Sequence, residues 1–135
     1  MHHISIKTAN IHRSIEFYQH LGFAIEERFT TGYTLACWLL GELGRIELIQ
    51  VPEPKIPADP FNDEQYVGFY HISFDLTGKT ESLSTWLEQL QCKTIIKILL
   101  PPQQQMIGNS VYEVAFIADP DGSPLELLAY LGQTI

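Results

Sequence analysis

Cysteine is scarce: the 135-residue chain holds two, Cys37 and Cys92, 55 residues apart and without C-x-x-C spacing. That excludes a disulfide scaffold and fits a reducing compartment. Basic residues are few as well, eight Lys and Arg against sixteen Asp and Glu, a formal charge of −8 and an isoelectric point near 4.9. Such a balance excludes nucleic acid and anionic membrane as the expected partners, because both demand cationic surface. Long apolar runs are missing: stretches such as Leu35 to Leu40 and Ile95 to Leu100 are far short of the ~20 residues of a membrane span. No basic segment followed by an apolar one opens the chain, so no secretory signal is expected and the expected location is cytoplasmic. What is present, 45% hydrophobic and 18% charged residues, predicts a single domain over 1–135. A chain of this length buries roughly two-thirds of its unfolded surface.

Hydrophobic periodicity divides the chain into two similar halves. Ile4 and Ile6 alternate with His3, Ser5 and Lys7, the period of a strand with one apolar face. Asn10 then caps a predicted helix carrying Ile11, Ile15, Tyr18 and Leu21, and Gly22 ends it. Three β-like runs follow at about 23–29, 33–40 and 45–51, parted by Thr30-Thr31-Gly32 and Gly41-Glu42-Leu43-Gly44. The first module is thus β-α-β-β-β over about 1–51. Residues 52–66, with Pro52, Pro54, Pro57 and Pro60 among acidic residues, sustain neither helix nor central strand and read as a linker or a covering loop. The second module, about 67–131, repeats the order. It has a strand through Phe69–Asp75, a helix from about Thr80 to Gln91 with Leu83, Trp86, Leu87 and Leu90 on one side, and runs at about 94–99, 111–118 and 124–130. Pro101-Pro102-Gln103-Gln104-Gln105 is expected to be a loop, and Asp119-Pro120-Asp121-Gly122 a tight turn.

The echo extends to residue identity. His3-Ile4-Ser5-Ile6 returns as His71-Ile72-Ser73-Phe74, and Ile46-Glu47-Leu48 as Leu125-Glu126-Leu127. The His-to-Glu interval is 44 residues in the first half and 55 in the second, a difference assigned to the Pro/Gln loop. Each module therefore carries a His on its first strand and a Glu on its last, out of phase with the aliphatic neighbours. A lone strand His is usually a hydrogen-bonded neutral side chain, and a lone strand Glu usually faces solvent. Solvent-facing positions have no reason to repeat identity, so duplication favours a site. If the two curved sheets turn toward each other, His3, Glu47, His71 and Glu126 form a cleft suited to an octahedral divalent ion: Zn, Ni, Co, Mn or Fe. His2 is expected at the surface or behind His3, and His12 and His20 on the solvated side of the helix. The fold class is α+β: two β-α-β-β-β modules in one chain, with curved mixed sheets forming a metal-binding cleft.

Four segments carry a family resemblance: His3 through Tyr18 with Leu21-Gly22-Phe23; Arg45-Ile46-Glu47-Leu48; Tyr70-His71-Ile72-Ser73-Phe74; and Asp119-Pro120-Asp121-Gly122-Ser123-Pro124-Leu125-Glu126-Leu127. Together they resemble the vicinal oxygen chelate superfamily, which includes glyoxalase I, fosfomycin-resistance proteins, methylmalonyl-CoA epimerase and extradiol dioxygenases. Asn10 stands where Asp is commoner. The resemblance implies the same four ligands that the repeat indicates. It also implies a small-molecule substrate with vicinal oxygens, and a lyase or isomerase that removes a proton beside a metal-bound carbonyl to give an enediolate. Glu126 and Glu47 are then the candidate bases, Glu126 preferred. It further implies a homodimer, with His3 and Glu47 facing the partner subunit's His71 and Glu126.

Departures narrow the substrate. The glutathione contacts of glyoxalase I, an Arg and an Asn, fall here on Lys7 and Val51. Lys7 is a point charge without a bidentate fork and Val51 has no side-chain hydrogen bond, which argues against glutathione. The acidic total disfavours a polyanionic coenzyme A ester unless Lys55, Lys79, Lys93 and Lys97 gather into a basic patch. Of Tyr33, Trp38, Phe69, Tyr112, Phe116 and Tyr130, most are expected in the core. Trp38, Phe69 and Tyr112, with Ser5 and Lys7, are the expected substrate contacts. Competing readings are an epimerase, an Fe(II) dioxygenase using His3, His71 and Glu126, and a metal-free drug-binding module.

Overall fold

In the computed structural model, which describes residues 1–134, the chain divides into two compact units, Met1–Pro57 and Ala58 onward. Each is built on the same plan. In the first, β1 (Ile4–Thr8), α1 (Ile11–His20), β2 (Ala24–Thr31), β3 (Thr34–Gly41) and β4 (Gly44–Gln50) form a four-stranded sheet of order β1-β4-β3-β2. In the second, β5 (Ile72–Asp75), α2 (Leu83–Gln91), β6 (Lys97–Ile107), β7 (Ser110–Ala118) and β8 (Pro124–Gln133) give the order β5-β8-β7-β6. The first strand of each unit runs parallel to the last, and all other neighbours are antiparallel. The two mixed sheets of the expected α+β class are thus present.

Each helix is fixed at its start by two caps. The Asn10 side chain accepts a hydrogen bond from the Arg13 amide at 3.1 Å, and Gln50, at the end of β4, accepts from the Ile11 amide at 2.9 Å. In α2, Ser82 Oγ accepts from the Thr85 amide at 3.1 Å, and Glu113 on β7 accepts from the Leu83 amide at 2.6 Å. The second cap of each pair comes from the sheet, so it satisfies an orphan helix donor and anchors the helix on the strands it covers. Ser82 also sets the start of α2 at Leu83, later than the Thr80 expected from periodicity. α1 lies on β3 and β4, burying Ile11, Ile15 and Tyr18 against Leu39, Ile46 and Leu48, and α2 lies on β7 and β8, burying Leu83, Leu87 and Leu90. Cys37 is buried and Cys92 exposed, and both are free thiols.

One expected loop is a strand. Pro101 to Gln105 lies inside β6, where Gln103, Gln104 and Gln105 pair with Val114, Glu113 and Tyr112. The prolines are tolerated because β6 is an edge strand and because the ladder is bulged between Leu100 and Gln103, where no amide donor is needed. The reversal comes later, at Gly108, whose φ of +60° suits glycine. The longer His-to-Glu interval of the second unit is therefore not a loop insertion at the prolines. It is spread over the β5–α2 connection, the longer β6–β7 arm and the turn at 119–123. Residues 51–71 carry no helix or strand, yet part of this segment packs: Phe61 sits 5.3 Å from Phe116, ring centre to ring centre.

Gly41 ends β3 where the chain leaves α1. A Cβ there would lie 2.7 Å from the Gly22 carbonyl oxygen, a backbone atom that cannot swing aside. Gly41→Ala is therefore expected to destabilise the protein by about 1–3 kcal/mol, the usual cost of forced overpacking. Urea denaturation checks this, and an unchanged midpoint would show that the β3–α1 junction is slack.

Candidate metal centre

Strand alternation places the chemistry. Ile46 and Leu48 point toward α1, so Glu47 between them projects from the opposite face of its sheet; Leu125, Glu126 and Leu127 repeat this in the second unit. The parallel ladders set Ser5 beside Glu47 and Ser73 beside Glu126. His3 and His71 stand two residues before those serines, immediately ahead of β1 and β5.

The result is one small arrangement made twice. Ser5 Oγ donates to Glu47 Oε1 at 2.8 Å, and Ser73 Oγ donates to Glu126 Oε1 at 2.7 Å. His3 Nε2 lies 3.6 Å from Glu47 Oε1, and His71 Nε2 lies 3.6 Å from Glu126 Oε1. This separation is longer than a good N–H···O bond. It is close to the distance kept by two donors of one ion, since ligands ~2.1 Å from a metal are roughly 3.0–3.6 Å apart for angles of 90–120°. One imidazole nitrogen and one carboxylate are also the donor types that divalent transition metals take. Each pair thus fits half of a coordination shell. Among the described residues, no group of three or more His, Cys, Asp or Glu is gathered to hold an ion.

The two pairs differ in their surroundings. In the first unit Trp38, the antiparallel neighbour of Glu47 on β3, donates its indole N–H to Glu47 Oε2 at 2.8 Å. Both Glu47 oxygens are then held. The Trp38 bond, with help from Ser5 and nearby His3, keeps the carboxyl below its ordinary pKa range, although burial pushes the other way. His2 Nδ1 meets His3 Nδ1 at 2.8 Å, so His2 stands behind its neighbour and leaves Nε2 toward Glu47. In the second unit Phe116 replaces Trp38 beside Glu126 and has no donor. Among the described residues, Glu126 Oε2 has no hydrogen-bond partner. Phe116 and Tyr70 instead wall in His71, at ring-centre distances of 4.9 and 4.4 Å, with Phe61 behind them. The enclosed Nδ1 of His71 is buried without a hydrogen bond among the described residues, a desolvation cost carried by few native groups.

Other expected contacts have varied places. Ser5 and Trp38 hold Glu47 rather than standing free, and Lys7 is exposed on β1. Phe69 is 97% exposed, and Tyr112 packs on Tyr130 at 5.5 Å. Of the six aromatics considered from sequence, Phe116 alone is a core residue, while Tyr33 is fully exposed. His12 is exposed and His20 half-buried at the end of α1. Ser73, Phe61 and Tyr70 are the contributors that sequence reasoning overlooked. Ser73 was signalled by the repeated His-Ile-Ser. Phe61, inside a proline-rich segment, had no such signal.

Comparison with known proteins finds the same fold elsewhere. A glyoxalase family protein of Bacillus cereus, 19% identical, superposes with a TM-score of 0.72 over 98% of this chain and 94% of its own. One from Enterococcus faecalis, 21% identical, gives 0.69 over 95% of each chain. A glyoxalase/bleomycin resistance protein/dioxygenase from Alicyclobacillus acidocaldarius, 18% identical, gives 0.65 over 96% of this chain and 89% of that one. At such identities the likeness concerns the fold. A search of curated proteins finds no match. The family model of the Glyoxalase/Bleomycin resistance protein/Dioxygenase superfamily matches residues 1–127, and the chain belongs to that superfamily.

Proposed function

We propose that the protein is a divalent-metal-dependent lyase or isomerase of glyoxalase-like type, acting on a small substrate with two adjacent oxygens. The observation that carries this reading is the duplicated His–Ser–Glu arrangement, with the same 3.6 Å His–Glu separation in both units. Two donors do not make a site, so His3 and Glu47 would join His71 and Glu126 around one ion, either within a chain or across a homodimer. Such an ion would supply Lewis acidity toward a substrate carbonyl and its neighbouring oxygen.

The chain's own groups divide the remaining work. His3 and His71 would present Nε2 to the ion. Glu47, with both oxygens held by Ser5 and Trp38, is suited to stay in place. Glu126, held by Ser73 at one oxygen, has the other to accept and return a proton from carbon. Phe61, Tyr70 and Phe116 reduce water access around His71, which strengthens polar interactions there. Lys7 is the proposed contact for an anionic substrate group. No helix among the described residues is long and apolar enough to cross a membrane.

Protein purified without chelator is expected to carry about one equivalent of a transition metal per site. His71→Ala is expected to lose it, as measured by elemental analysis. Metal absent from both proteins would instead favour a metal-free binding module. A panel of hemithioacetals and thioesters, read by solvent deuterium incorporation, tests the chemistry. Glu126→Gln keeps the side-chain shape and is expected to lower exchange by roughly 10²–10⁴-fold, the usual share of a positioned base. Exchange that survives this substitution would remove Glu126 from proton transfer. Light scattering is expected to give twice the chain mass, and a monomer would exclude the shared-site arrangement.

A further inference from the structure

We propose that Trp38 is a positioning residue that makes Glu47 the stationary carboxylate of the metal centre. The inference rests on the metal reading above, and it concerns a residue that neither the repeat nor a ligand set identifies. Trp38 and Phe116 occupy the same place in their units, each the antiparallel partner of the candidate acidic ligand. The two halves match at His, Ser and Glu and differ here. Indole N–H is a donor that phenyl lacks, and it lies 2.8 Å from Glu47 Oε2.

The indole is itself well held. Its ring lies 5.5 Å from Phe29 in an edge contact, 5.0 Å from His2 and 5.8 Å from His3. Trp38 thus joins ligand candidates His3 and Glu47 into one packed group: it touches the imidazole by its ring and the carboxylate by its N–H. With Ser5 on Oε1 and Trp38 on Oε2, rotation of the Glu47 carboxylate breaks one bond or the other. Groups behind metal ligands that orient them in this way typically contribute substantially to affinity. Glu126 has no corresponding restraint at Oε2 among the described residues, so the two carboxylates are chemically alike and mechanically different.

The test uses the full chain and Ni(II) alone as the probe. Trp38→Phe removes the donor while keeping a ring of the kind found at the equivalent position. Calorimetric Ni(II) affinity is expected to fall about tenfold in W38F. In a Glu47→Ala background the same substitution is expected to change affinity by less than about twofold, because its effect passes through Glu47. An equal loss in both backgrounds would mark Trp38 as merely structural and overturn the proposal. A metal-free measurement is independent of folding changes in W38F: the indole N–H resonance of Trp38, assigned with Trp86→Phe, is expected to move upfield in E47A. An unmoved resonance would overturn the proposal even if nickel binds. Absence of nickel binding by the unsubstituted protein would overturn the metal reading and this inference together, whereas binding indifferent to W38F would overturn this inference alone.

Discussion

The parallel ladder between the first and last strand of each unit is the constraint on which the candidate centre depends. A chain that goes strand, helix, strand, strand, strand can place β1 beside β4 only if the helix carries it back over the sheet. That crossing covers one face with apolar residues. The other face is then available for polar side chains. Register does the rest: Ser5 falls opposite Glu47 and Ser73 opposite Glu126. A slip by one residue would send both carboxylates beneath a helix, at the cost of burying charge and exposing Leu48 or Leu127. Core burial therefore fixes the polar face as strongly as it fixes the apolar one.

That coupling explains why the placement of both carboxylates opposite the helices was legible in residues alone. Ile46-Glu47-Leu48 and Leu125-Glu126-Leu127 are apolar-charged-apolar triplets, and with period two such a triplet has one outcome once its aliphatics are buried. Asn10 and Gly22 bounded α1 because capping and positive φ are local chemistry. Pro101 and Pro102 misled for the complementary reason. Their meaning depends on whether the strand is central or at an edge, and edge position is a property of the assembled sheet. Phe61 was hidden for the same cause, since its contact with Phe116 joins residues distant in sequence without any shared periodicity.

The duplication also separates what the fold requires from what a site adds. Paired positions that are aliphatic in both units, Ile46 with Leu125 and Leu48 with Leu127, serve the core, which asks for apolar volume and accepts the same residue or a different one. His3 with His71, Ser5 with Ser73 and Glu47 with Glu126 also keep identity, and they do so on the face opposite the helix, where apolar packing does not account for polar residues. Identity held where the core does not demand it is the physical argument for chemistry at this face.

Asymmetry then carries the remaining information. A duplicated half-site starts with two equivalent carboxylates, and the proposed function assigns them different parts. Burial differs little between them, the side chains being 15% and 17% exposed, so desolvation cannot supply the distinction. The neighbouring residue on the antiparallel strand can. Indole beside Glu47 restrains it and favours its charged form, while phenyl beside Glu126 offers no such bond. A single position in each sheet thus gives two repeated carboxylates different surroundings, without disturbing the ladder that holds either one.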